Sequence, residues 1–584
     1  MKVPWCIRIA LLWLLLSSSQ VLAQTASSHS STEELLTTAN QVGRYGGRLV
    51  VSQKSEPKTL NPVVALDRPS RAVLQVMNAD LIHINRDTQR TEPALAQSWT
   101  ATRDGRQYTL RLRRGVRFSD GQPFDADDVV FSFQVYLDPK VNSPQRDLLI
   151  VGGKPMVVQK LDAYTVRFQL SQPYAAAERL FDSVAILPKH LLEKPYRDGT
   201  LAQAWSLNTP PEQIAGLGPF RLKKYLPGQE IVLEKSPYYW KQDAKRNRLP
   251  YLQELVFVPV SSEDAEAIRF QGGDTDVISG VSAANFAVLG RDQQSRGYVL
   301  QDLGPGLEYN FLLFNLNQDT AGRLPEIARK QAWFQEVKFR QAVSLAMDRA
   351  GIVRLVYQGR GTPLWSNVTP GNKLWLNDQI PKPPQSIDQA RQLLQAAGFS
   401  WDKSGRLLDR SGQAVQFSII APSSNNQRLQ MANLIQADLQ KLGMQVSVVP
   451  LEFRSLVQRV VQSHEYEAAV MGLASGDVDP NGEMNVWLSD GSTHLWDLGE
   501  KQPATPWEAE IDKLMRQQLV TLEPAVRKRL YDRVQWIVAE DLPIICIATP
   551  HILVGRKNGL ANFQPAILSD YTLHNVEELF WNHR

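Results

Sequence analysis

The spacing of apolar residues changes near residue 305. This change limits the chain to folds that combine a strand-rich part with a part in which helices lie between short strands. Before it, apolar and polar side chains alternate, as in QYTLRLRR, where Tyr108, Leu110 and Leu112 face one way. Such alternation is typical of β-strands with one buried face. The pattern recurs at 160–170 and 218–240, so this half of the chain is predicted to be rich in strands.

After residue 305, apolar residues recur at helical spacing between short strands. In the segment 337–353, which is predicted to be helical, they are Val337, Phe339, Val343, Ala346 and Met347. A second helix is predicted to begin after Ser386 as its N-cap and to stop at Gly398. A third occupies the start of 426–451 and leads directly into a strand, and 543–554 is an apolar strand. These βα units predict an α/β fold, and the length of 584 residues suggests about two to four domain-sized units.

The first 23 residues have the features of a secretory signal. Lys2 and Arg8 form a basic start, residues 9–16 are continuously apolar, and small residues lead up to Ala23. The apolar run is shorter than the roughly 20 residues that span a bilayer. We therefore expect cleavage after Ala23, followed by a flexible leader over 24–42. No Cys stands at the cleavage site, so a periplasmic protein without a lipid anchor is expected.

Charge and motif content argue against several classes of function. The net charge is +4, and the basic residues form no stripe, so nucleic-acid binding is not expected. The sequence lacks G-x-S-x-G, H-E-x-x-H, C-x-x-C, Walker A and G-x-G-x-x-G motifs. Its eight histidines are scattered, so His494 is interpreted as a core or surface residue, and Cys546 as a buried thiol. We expect no catalysis, no metal and no cofactor.

One acidic stretch could suggest a metal loop, because Asp120, Asp125, Asp127 and Asp128 lie within nine positions. An EF-hand loop would need a Gly and a distal Glu that this stretch lacks. Asp125 instead stands at an N-cap position, and the next carboxylates fall in the first turn. There they accept free backbone N–H groups and meet the positive end of the helix dipole. The stretch is therefore predicted to start a helix.

Five blocks follow one another between residue 46 and the C-terminus: GGRLVVSQKSEPKTLNP, EPALAQSWTATRDGRQYTLRLRRGVRFSDGQPFDADDVVFSF, GPFRLKKYLPGQEIVLEKSPYYW, VKFRQAVSLAMDRAGIV and QARQLLQAAGF. In this order they resemble the bacterial extracellular solute-binding proteins of family 5, the dipeptide- and oligopeptide-binding components of ABC importers. The second block is the most specific of the five. The resemblance covers nearly all of the chain that follows the leader.

The resemblance implies an α/β, periplasmic-binding-protein-like fold, in which two main lobes enclose a ligand cleft and an extra lobe is rich in strands. Lobe I would combine 43–66, 197–305 and 545–584, lobe II would be the inserted segment 67–196, and lobe III would be 306–544. Two hinge crossings are implied, near 303–315 and 542–553. The change of pattern at residue 305 and the apolar strand at 543 fall at the same places. Closure of such lobes on a ligand is a hinge transition.

The implied function is that of a monomeric periplasmic component that captures a small solute and delivers it to a membrane permease and its ATPase. The solute is most often a peptide, but some members bind nickel chelates, haem, opines or oligosaccharides. The ligand must contact both lobes, because it favours closure only through its differential affinity for the closed state. A sensory or chaperone binding module is an alternative, whereas a hydrolase is disfavoured because no nucleophile–base pair is identified.

Candidate ligand-binding residues come from the stretch 471–492. In peptide-binding members, a carboxylate from an Asp-rich, Pro-containing segment meets the α-ammonium of the peptide. Asp477 and Asp479 stand in the matching segment, although their spacing to Pro480 differs from the family pattern. Alternatively, both residues only build an Asx turn before Pro480. For an oligosaccharide, Trp487 and Trp496 could stack on sugar rings, although most Trp residues belong to cores.

Overall fold

The computed structural model describes residues 33–182, 184–318 and 322–582. In the part up to residue 305 the strands are β1 (Leu36–Thr37), β2 (Arg48–Gln53), β3 (Ile82–Ile84), β4 (Thr91–Pro93), β5 (Ala96–Ala101), β6 (Gln107–Leu112), β7 (Ile150–Val151), β8 (Lys154–Pro155), β9 (Val157–Asp162), β10 (Thr165–Gln169), β11 (Phe220–Leu226), β12 (Glu230–Lys235), β13 (Lys241–Gln242), β14 (Glu254–Pro259), β15 (Val277–Ser279) and β16 (Tyr298–Pro305). The α-helices of this part are α1 (Arg68–Met77), α2 (Ala126–Leu137), α3 (Ala177–Leu180), α4 (Lys189–Arg197), α5 (Glu263–Gly272) and α6 (Ala283–Asp292).

The remaining strands are β17 (Glu308–Phe314), β18 (Gly361–Pro363), β19 (Ser400–Trp401), β20 (Leu407–Leu408), β21 (Gln416–Pro422), β22 (Gln445–Leu451), β23 (Ala468–Ala474), β24 (Ile544–Lys557), β25 (Leu560–Ala561) and β26 (Phe580–Trp581). The helices here are α7 (Pro325–Phe334), α8 (Val337–Ala346), α9 (Arg349–Val356), α10 (Ile387–Ala396), α11 (Asn426–Gln440), α12 (Phe453–Gln458), α13 (Met484–Trp487), α14 (Pro506–Val520) and α15 (Pro524–Asp541). The expected change from strand-rich to mixed helix and strand near residue 305 is therefore present. None of the described helices is long and apolar enough to cross a membrane.

A twelve-stranded sheet connects the two halves of the chain. Its order is β11-β12-β14-β2-β15-β24-β17-β23-β21-β22, and β16 and β18 also pair with β24. The strand β24 belongs to both halves: its first residues pair with β17, and its last ones pair with β15 and β16. Between β16 and β17 the chain crosses a second time, at 306–307. Both crossings lie within the ranges that were expected to form hinges.

The inserted strand-rich part is built on a separate four-stranded antiparallel sheet, with the order β5-β6-β10-β9. The acidic stretch before α2 has the predicted role. Asp125 is the N-cap, and its side chain and that of Asp128 form a capping box with the backbone. This confirms that these carboxylates start a helix.

Buried apolar side chains form two large cores. One fills the segment from β17 to the start of β24. The other extends from β2 through the inserted sheet to β14 and includes the C-terminal β25 and β26. Within the predicted boundaries, lobes I and II would therefore share one core, and lobe III would have a core of its own. The lobe boundaries themselves stay predictions.

Two sequence-based expectations need correction. The proposed signal, 1–23, and the first part of the leader lie outside the described residues, but 33–42 is not a free leader. Strand β1 pairs in parallel with β13, and the side chain of Asn40 donates to Glu578.

The segment 337–353, which was expected to be one helix, forms two helices. Met347 has extended backbone, and Asp348 caps α9 by accepting the amide of Gly351. The predicted N-cap at Ser386 and the left-handed stop at Gly398 are confirmed.

Candidate functional site

The inserted part, 67–196, contacts the part 306–544 through the side chain of Gln89. This residue lies in the turn between β3 and β4, is fully buried, and has a φ of 62°. Its Nε2 donates to the carbonyl of Gly371 over 2.7 Å, and its Oε1 accepts the amide of Lys373 over 2.9 Å. A left-handed backbone is uncommon for a residue other than glycine. The turn is therefore held in an unusual conformation by contacts on both sides of the interface.

An ion pair stands beside this amide contact. Arg179, in the four-residue helix α3, binds both carboxylate oxygens of Asp477. It also donates to the carbonyl of Gln89 over 3.0 Å. Burial alone would lower the pKa of Arg179, but the hydrogen bond and charge of Asp477 raise it. The guanidinium thus joins the two parts of the chain while it remains charged.

A cavity of ≈ 510 Å³ lies next to this interface. Its lining comes from the segment around α1 and β3, the end of α2 and the residues that follow it, the segment after α3, residues 569–570, and Gly476, which directly precedes Asp477. The lining contains as many positive as negative side chains, namely three arginines and three aspartates: Arg68, Arg71, Arg86, Asp80, Asp182 and Asp570. Such a lining suits a ligand that carries both signs of charge, because each sign meets its complement.

A second cavity of ≈ 260 Å³ shares the lining residues Arg68, Ala72 and Asp570 with the first. The second cavity lies against the large sheet, where Val51, Phe257 and Val277 contribute apolar surface. Together the two cavities combine charged groups with an apolar extension. This combination is common in small-molecule sites, where a few polar groups fix the orientation of a ligand.

Two aspartates of the larger cavity, Asp80 and Asp182, interact with His83, which does not itself line this cavity. His83 lies 3.4 Å from Asp80 and 3.3 Å from Asp182. Although burial opposes it, hydrogen bonding to these two carboxylates raises the pKa of His83 to about 9. Burial and the charge of Asp182 raise the pKa of Asp80. Burial likewise raises the pKa of Asp570, whose backbone has a φ of 65°. Perturbed groups around a cavity mark it as a candidate site.

The structure places the two candidate aspartates in different surroundings. Asp479 is buried, its oxygens accept Arg527 Nη2 and Nη1 over 2.6 and 2.7 Å, and it caps a turn through the amide of Asn481. These contacts match the turn-building alternative for Asp479. Asp477 lies at the interface beside the cavity and is the one of the two whose carboxylate is partly exposed, at 29%. Its role towards a ligand stays a prediction.

The two candidate tryptophans are buried. Trp487 and Trp496 are each 1% exposed, and their ring centroids lie 5.7 Å apart. Trp487 donates to Glu483 over 2.8 Å, and Trp496 donates to Glu508 over 3.0 Å. In this conformation neither indole offers a face to the cavity, and stacking on a sugar ring would need them to move.

Several residues of the site were not found from the sequence. Gln89, Arg179 and Asp570 belong to no motif, and Asp570 follows Arg68 by about 500 positions. Local spacing carries no signal for such a meeting. A weak signal existed at Gln89, because the preceding Asn-Arg-Asp-Thr stretch indicates a turn.

Comparisons with known proteins agree with the fold. A sequence model described as bacterial extracellular solute-binding proteins, family 5 Middle, matches residues 90–494. A probable ABC transporter-binding protein of Deinococcus radiodurans is 26% identical, covering 88% of both chains. Heme-binding protein A of Haemophilus influenzae is 28% identical, covering 90% of both chains. The oligopeptide-binding protein AppA of Bacillus subtilis is 24% identical, covering 97% of this chain and 98% of its own.

Solved structures show the same architecture. The ABC transporter substrate-binding protein CtaP of Listeria monocytogenes superposes with a TM-score of 0.74 at 22% identity, covering 92% of this chain and 100% of its own. AppA of Bacillus subtilis, solved with a nonapeptide, gives 0.67 at 24% identity, covering 93% and 100%. The expected periplasmic-binding-protein-like α/β fold is thereby confirmed.

The family match settles the general role of the chain. Members of this family are binding proteins rather than enzymes, they act outside the cytoplasmic membrane, and they work with permease and ATPase components. The matched residues, 90–494, make up more than half of the chain. The chain therefore belongs to family 5 of the bacterial extracellular solute-binding proteins, the solute-binding components of ABC importers.

Proposed function

We propose that the protein captures di- or oligopeptides and delivers them to the membrane permease of an ABC importer. The observation that carries this proposal is the cavity with three arginines and three aspartates in its lining. A free peptide carries one ammonium and one carboxylate, so it presents both charges to such a lining. Relatives named for oligopeptide binding support the same solute class.

The arginine side of the cavity is suited to the peptide carboxylate. Arg86 lies 3.6 Å from Asp182, and its Nε is buried without a hydrogen-bond partner among the described residues. An unpaired buried N–H is costly, and a carboxylate that accepts it would remove this cost. Arg68 and Arg71 are exposed at the same cavity and add positive charge.

The ammonium end would meet a carboxylate. We assign Asp477 this role, since it is partly exposed and directly follows Gly476, which lines the cavity. Asp479 is a poorer candidate, because meeting a ligand would break its buried pair with Arg527. The apolar extension beyond Arg68 would receive one side chain of the peptide.

Other solutes are less well supported. An oligosaccharide site was expected to use Trp487 and Trp496, which are both buried. Haem is bound by one relative, going by its name, but haem is a large apolar ring system, and the larger cavity is lined by six charged side chains. A sensory or chaperone module would share the same cleft and differ only in its partner.

Native mass spectrometry of the purified protein, mixed with an equimolar pool of synthetic di- and tripeptides, tests the solute class. We expect selective retention of peptides. Calorimetry with one retained peptide should then show at least tenfold weaker binding when either terminus is blocked by acetylation or amidation. Haem, a Ni²⁺–histidine complex and maltotriose serve as competing probes. Retention of one of these, with no peptide bound, would contradict the proposal.

We further propose that the mature protein begins at Gln24, carries no lipid and is a monomer of three lobes that closes about the two crossings. The shared strand β24 and the contacts of Gln89 support the hinge arrangement. N-terminal sequencing and light scattering test the first part. Small-angle scattering with and without a bound peptide tests closure: a smaller radius of gyration is expected with peptide, and an unchanged radius would count against the hinge.

A further inference from the structure

A second cluster of charged groups lies away from the cavity, in the segment that follows α13. His494 is fully buried, and the carboxylates of Glu500 and Glu508 approach its Nε2 to 3.7 and 3.6 Å. The side chains of these two glutamates are 7% and 3% exposed. The three residues are six and eight positions apart in the sequence, so no short motif predicts the cluster.

One ring nitrogen of the histidine faces a backbone carbonyl, and the other faces the two carboxylates. Its Nδ1 lies 3.1 Å from the carbonyl oxygen of Val486. A carbonyl only accepts, so Nδ1 carries a proton, and in the neutral tautomer the lone pair therefore lies on Nε2. This arrangement, a backbone carbonyl on one ring nitrogen and an open lone pair on the other, is the one found in metal-binding histidines.

Hydrogen bonds of ordinary length do not join the histidine to the two glutamates, because Nε2 lies 3.6 and 3.7 Å from their oxygens. Nε2 of His494 and both carboxylate oxygens of Glu500 are buried without a hydrogen-bond partner among the described residues. Buried unsatisfied groups of this kind are rare and need an explanation.

The separations fit a metal ion better than a water molecule. Ligand atoms about 2.1 Å from one tetrahedral zinc ion lie about 3.4 Å apart. The observed 3.6 and 3.7 Å are close to this value. A water that makes two hydrogen bonds of about 2.8 Å at a tetrahedral angle would instead hold its partners about 4.6 Å apart.

We propose that His494, Glu500 and Glu508 bind a divalent transition-metal ion of the Zn²⁺ type through Nε2 and the two carboxylates. One nitrogen and two oxygen ligands suit such ions, whereas Ca²⁺ and Mg²⁺ prefer oxygen ligands alone. The ion would link the segment after α13 to the start of α14. Glu508 is preoriented for this, because its Oε2 also accepts the amide and hydroxyl of Thr505 over 2.9 and 2.7 Å.

This site shares no residue with the peptide cavity, and tryptophans close to it can serve as reporters. The ring of Trp496 lies 4.0 Å from that of His494, and Trp507 lies 6.3 Å from Trp496, measured between ring centroids. Binding of a paramagnetic ion such as Co²⁺ should therefore quench tryptophan fluorescence. Core placement, one of the two alternatives predicted for His494, accounts for its burial but not for the two carboxylates.

The test is titration of chelator-treated protein with Zn²⁺ by calorimetry, with Co²⁺ quenching as a second readout. We expect one site per chain and a higher melting temperature with zinc. Glu500→Gln should weaken binding at least tenfold, and its melting temperature in chelator shows whether the fold is intact. Glu523→Gln, an exposed glutamate whose side chain does not cap its helix, is the matched control and should bind normally.

Three results would overturn the proposal. The first is no zinc uptake by the wild-type chain. The second is undiminished one-to-one uptake by Glu500→Gln. The third is loss of uptake in His83→Gln but not in Glu500→Gln, which would assign the ion to the cluster of Asp80, His83 and Asp182. Zinc-edge anomalous scattering from crystals of the wild-type protein locates the ion without any variant.

Discussion

Two arginine–aspartate pairs use carboxylates only two residues apart, yet they belong to different parts of the molecule. Asp479 and Arg527 both lie inside the part 306–544, with side chains 7% and 6% exposed. Asp477 pairs with Arg179 across the interface with the inserted part, and these side chains are 29% and 12% exposed. The chemistry is the same, but the first pair ties one unit together and the second ties two units to each other.

The difference indicates separate roles. Separating the buried pair would leave uncompensated charges in the interior, so it is expected to persist in every state of the folded protein. The interface pair can dissociate, because water would solvate both groups once the parts move apart. Burial, rather than residue type, thus decides which carboxylate of this segment serves stability and which can serve closure on a ligand.

The largest effect is expected at the buried pair. Asp479→Asn keeps the shape but removes the charge that Arg527 needs, and the free energy of unfolding should fall by about 3–5 kcal/mol. Urea denaturation followed by tryptophan fluorescence measures this, because the ring of Trp375 lies 4.7 Å from the Arg527 guanidinium. The control is Asp490→Asn, whose carboxylate is 63% exposed and should matter little. Equal stability of the two variants would remove the distinction between the pairs.

Asp477→Asn should differ from Asp479→Asn in which property changes. Without ligand its free energy of unfolding should change little, whereas its peptide binding should be weaker. A charge-assisted hydrogen bond contributes roughly 1.5–3 kcal/mol. Affinity measured by calorimetry should then fall by about one to two orders of magnitude. A double-mutant cycle with Arg179→Gln separates two explanations. If Asp477→Asn has no effect in the Arg179→Gln background, Asp477 acts through Arg179 and not on the peptide ammonium.

A smaller effect is expected at Gln89, which joins the same two parts without charge. Gln89→Ala removes the hydrogen bonds to Gly371 and Lys373, and a net loss of about 1 kcal/mol corresponds to roughly fivefold weaker peptide binding. Gln89→Gly is the matched variant, because it also loses the amide but tolerates the left-handed backbone. Both should weaken binding alike. Weakening by Ala alone would mean that backbone strain, and not the amide, is responsible.

The last expected effect depends on pH and comes from the single proton on His83. Its pKa is raised to about 9, above its ordinary value of 6.5, so the folded state holds the proton more tightly than the unfolded one. The resulting stabilisation is complete below pH 6.5 and is lost as the pH rises through about 9. Melting temperatures between pH 6 and 10 should therefore fall less steeply in His83→Gln than in the wild type. Parallel curves would show that the imidazolium contributes nothing.

Local signals in the sequence predicted local structure well. The capping box of Asp125 and Asp128 and the N-cap at Ser386 depend on side chains that contact the backbone two to three residues away. The prediction of one continuous helix over 337–353 was wrong, because apolar spacing does not show that Asp348 starts a new helix there. The family resemblance supplied the order of the larger parts.

The candidate site was predicted less well, because its residues meet only through the tertiary fold. Arg179 and Asp477 are 298 positions apart, and Gln89 and Gly371 are 282 apart. The segment 471–492 was a sound choice, but composition does not reveal which of its two aspartates points inward to Arg527. The burial of Trp487 and Trp496 likewise depends on packing that a sequence pattern does not encode.

Strand β24 delays the folding of the large sheet until the end of the chain is available. This strand begins at residue 544 and completes pairing in both halves of the large sheet, with β17 on one side and β15 and β16 on the other. A chain that emerges N-terminus first during secretion therefore lacks its central strand until nearly all of it has been translocated. We expect a fragment that ends at residue 543 to be digested rapidly in limited proteolysis, whereas the full chain resists. Late arrival of this one strand would keep the chain loose enough to be exported and allow it to fold only once it is across.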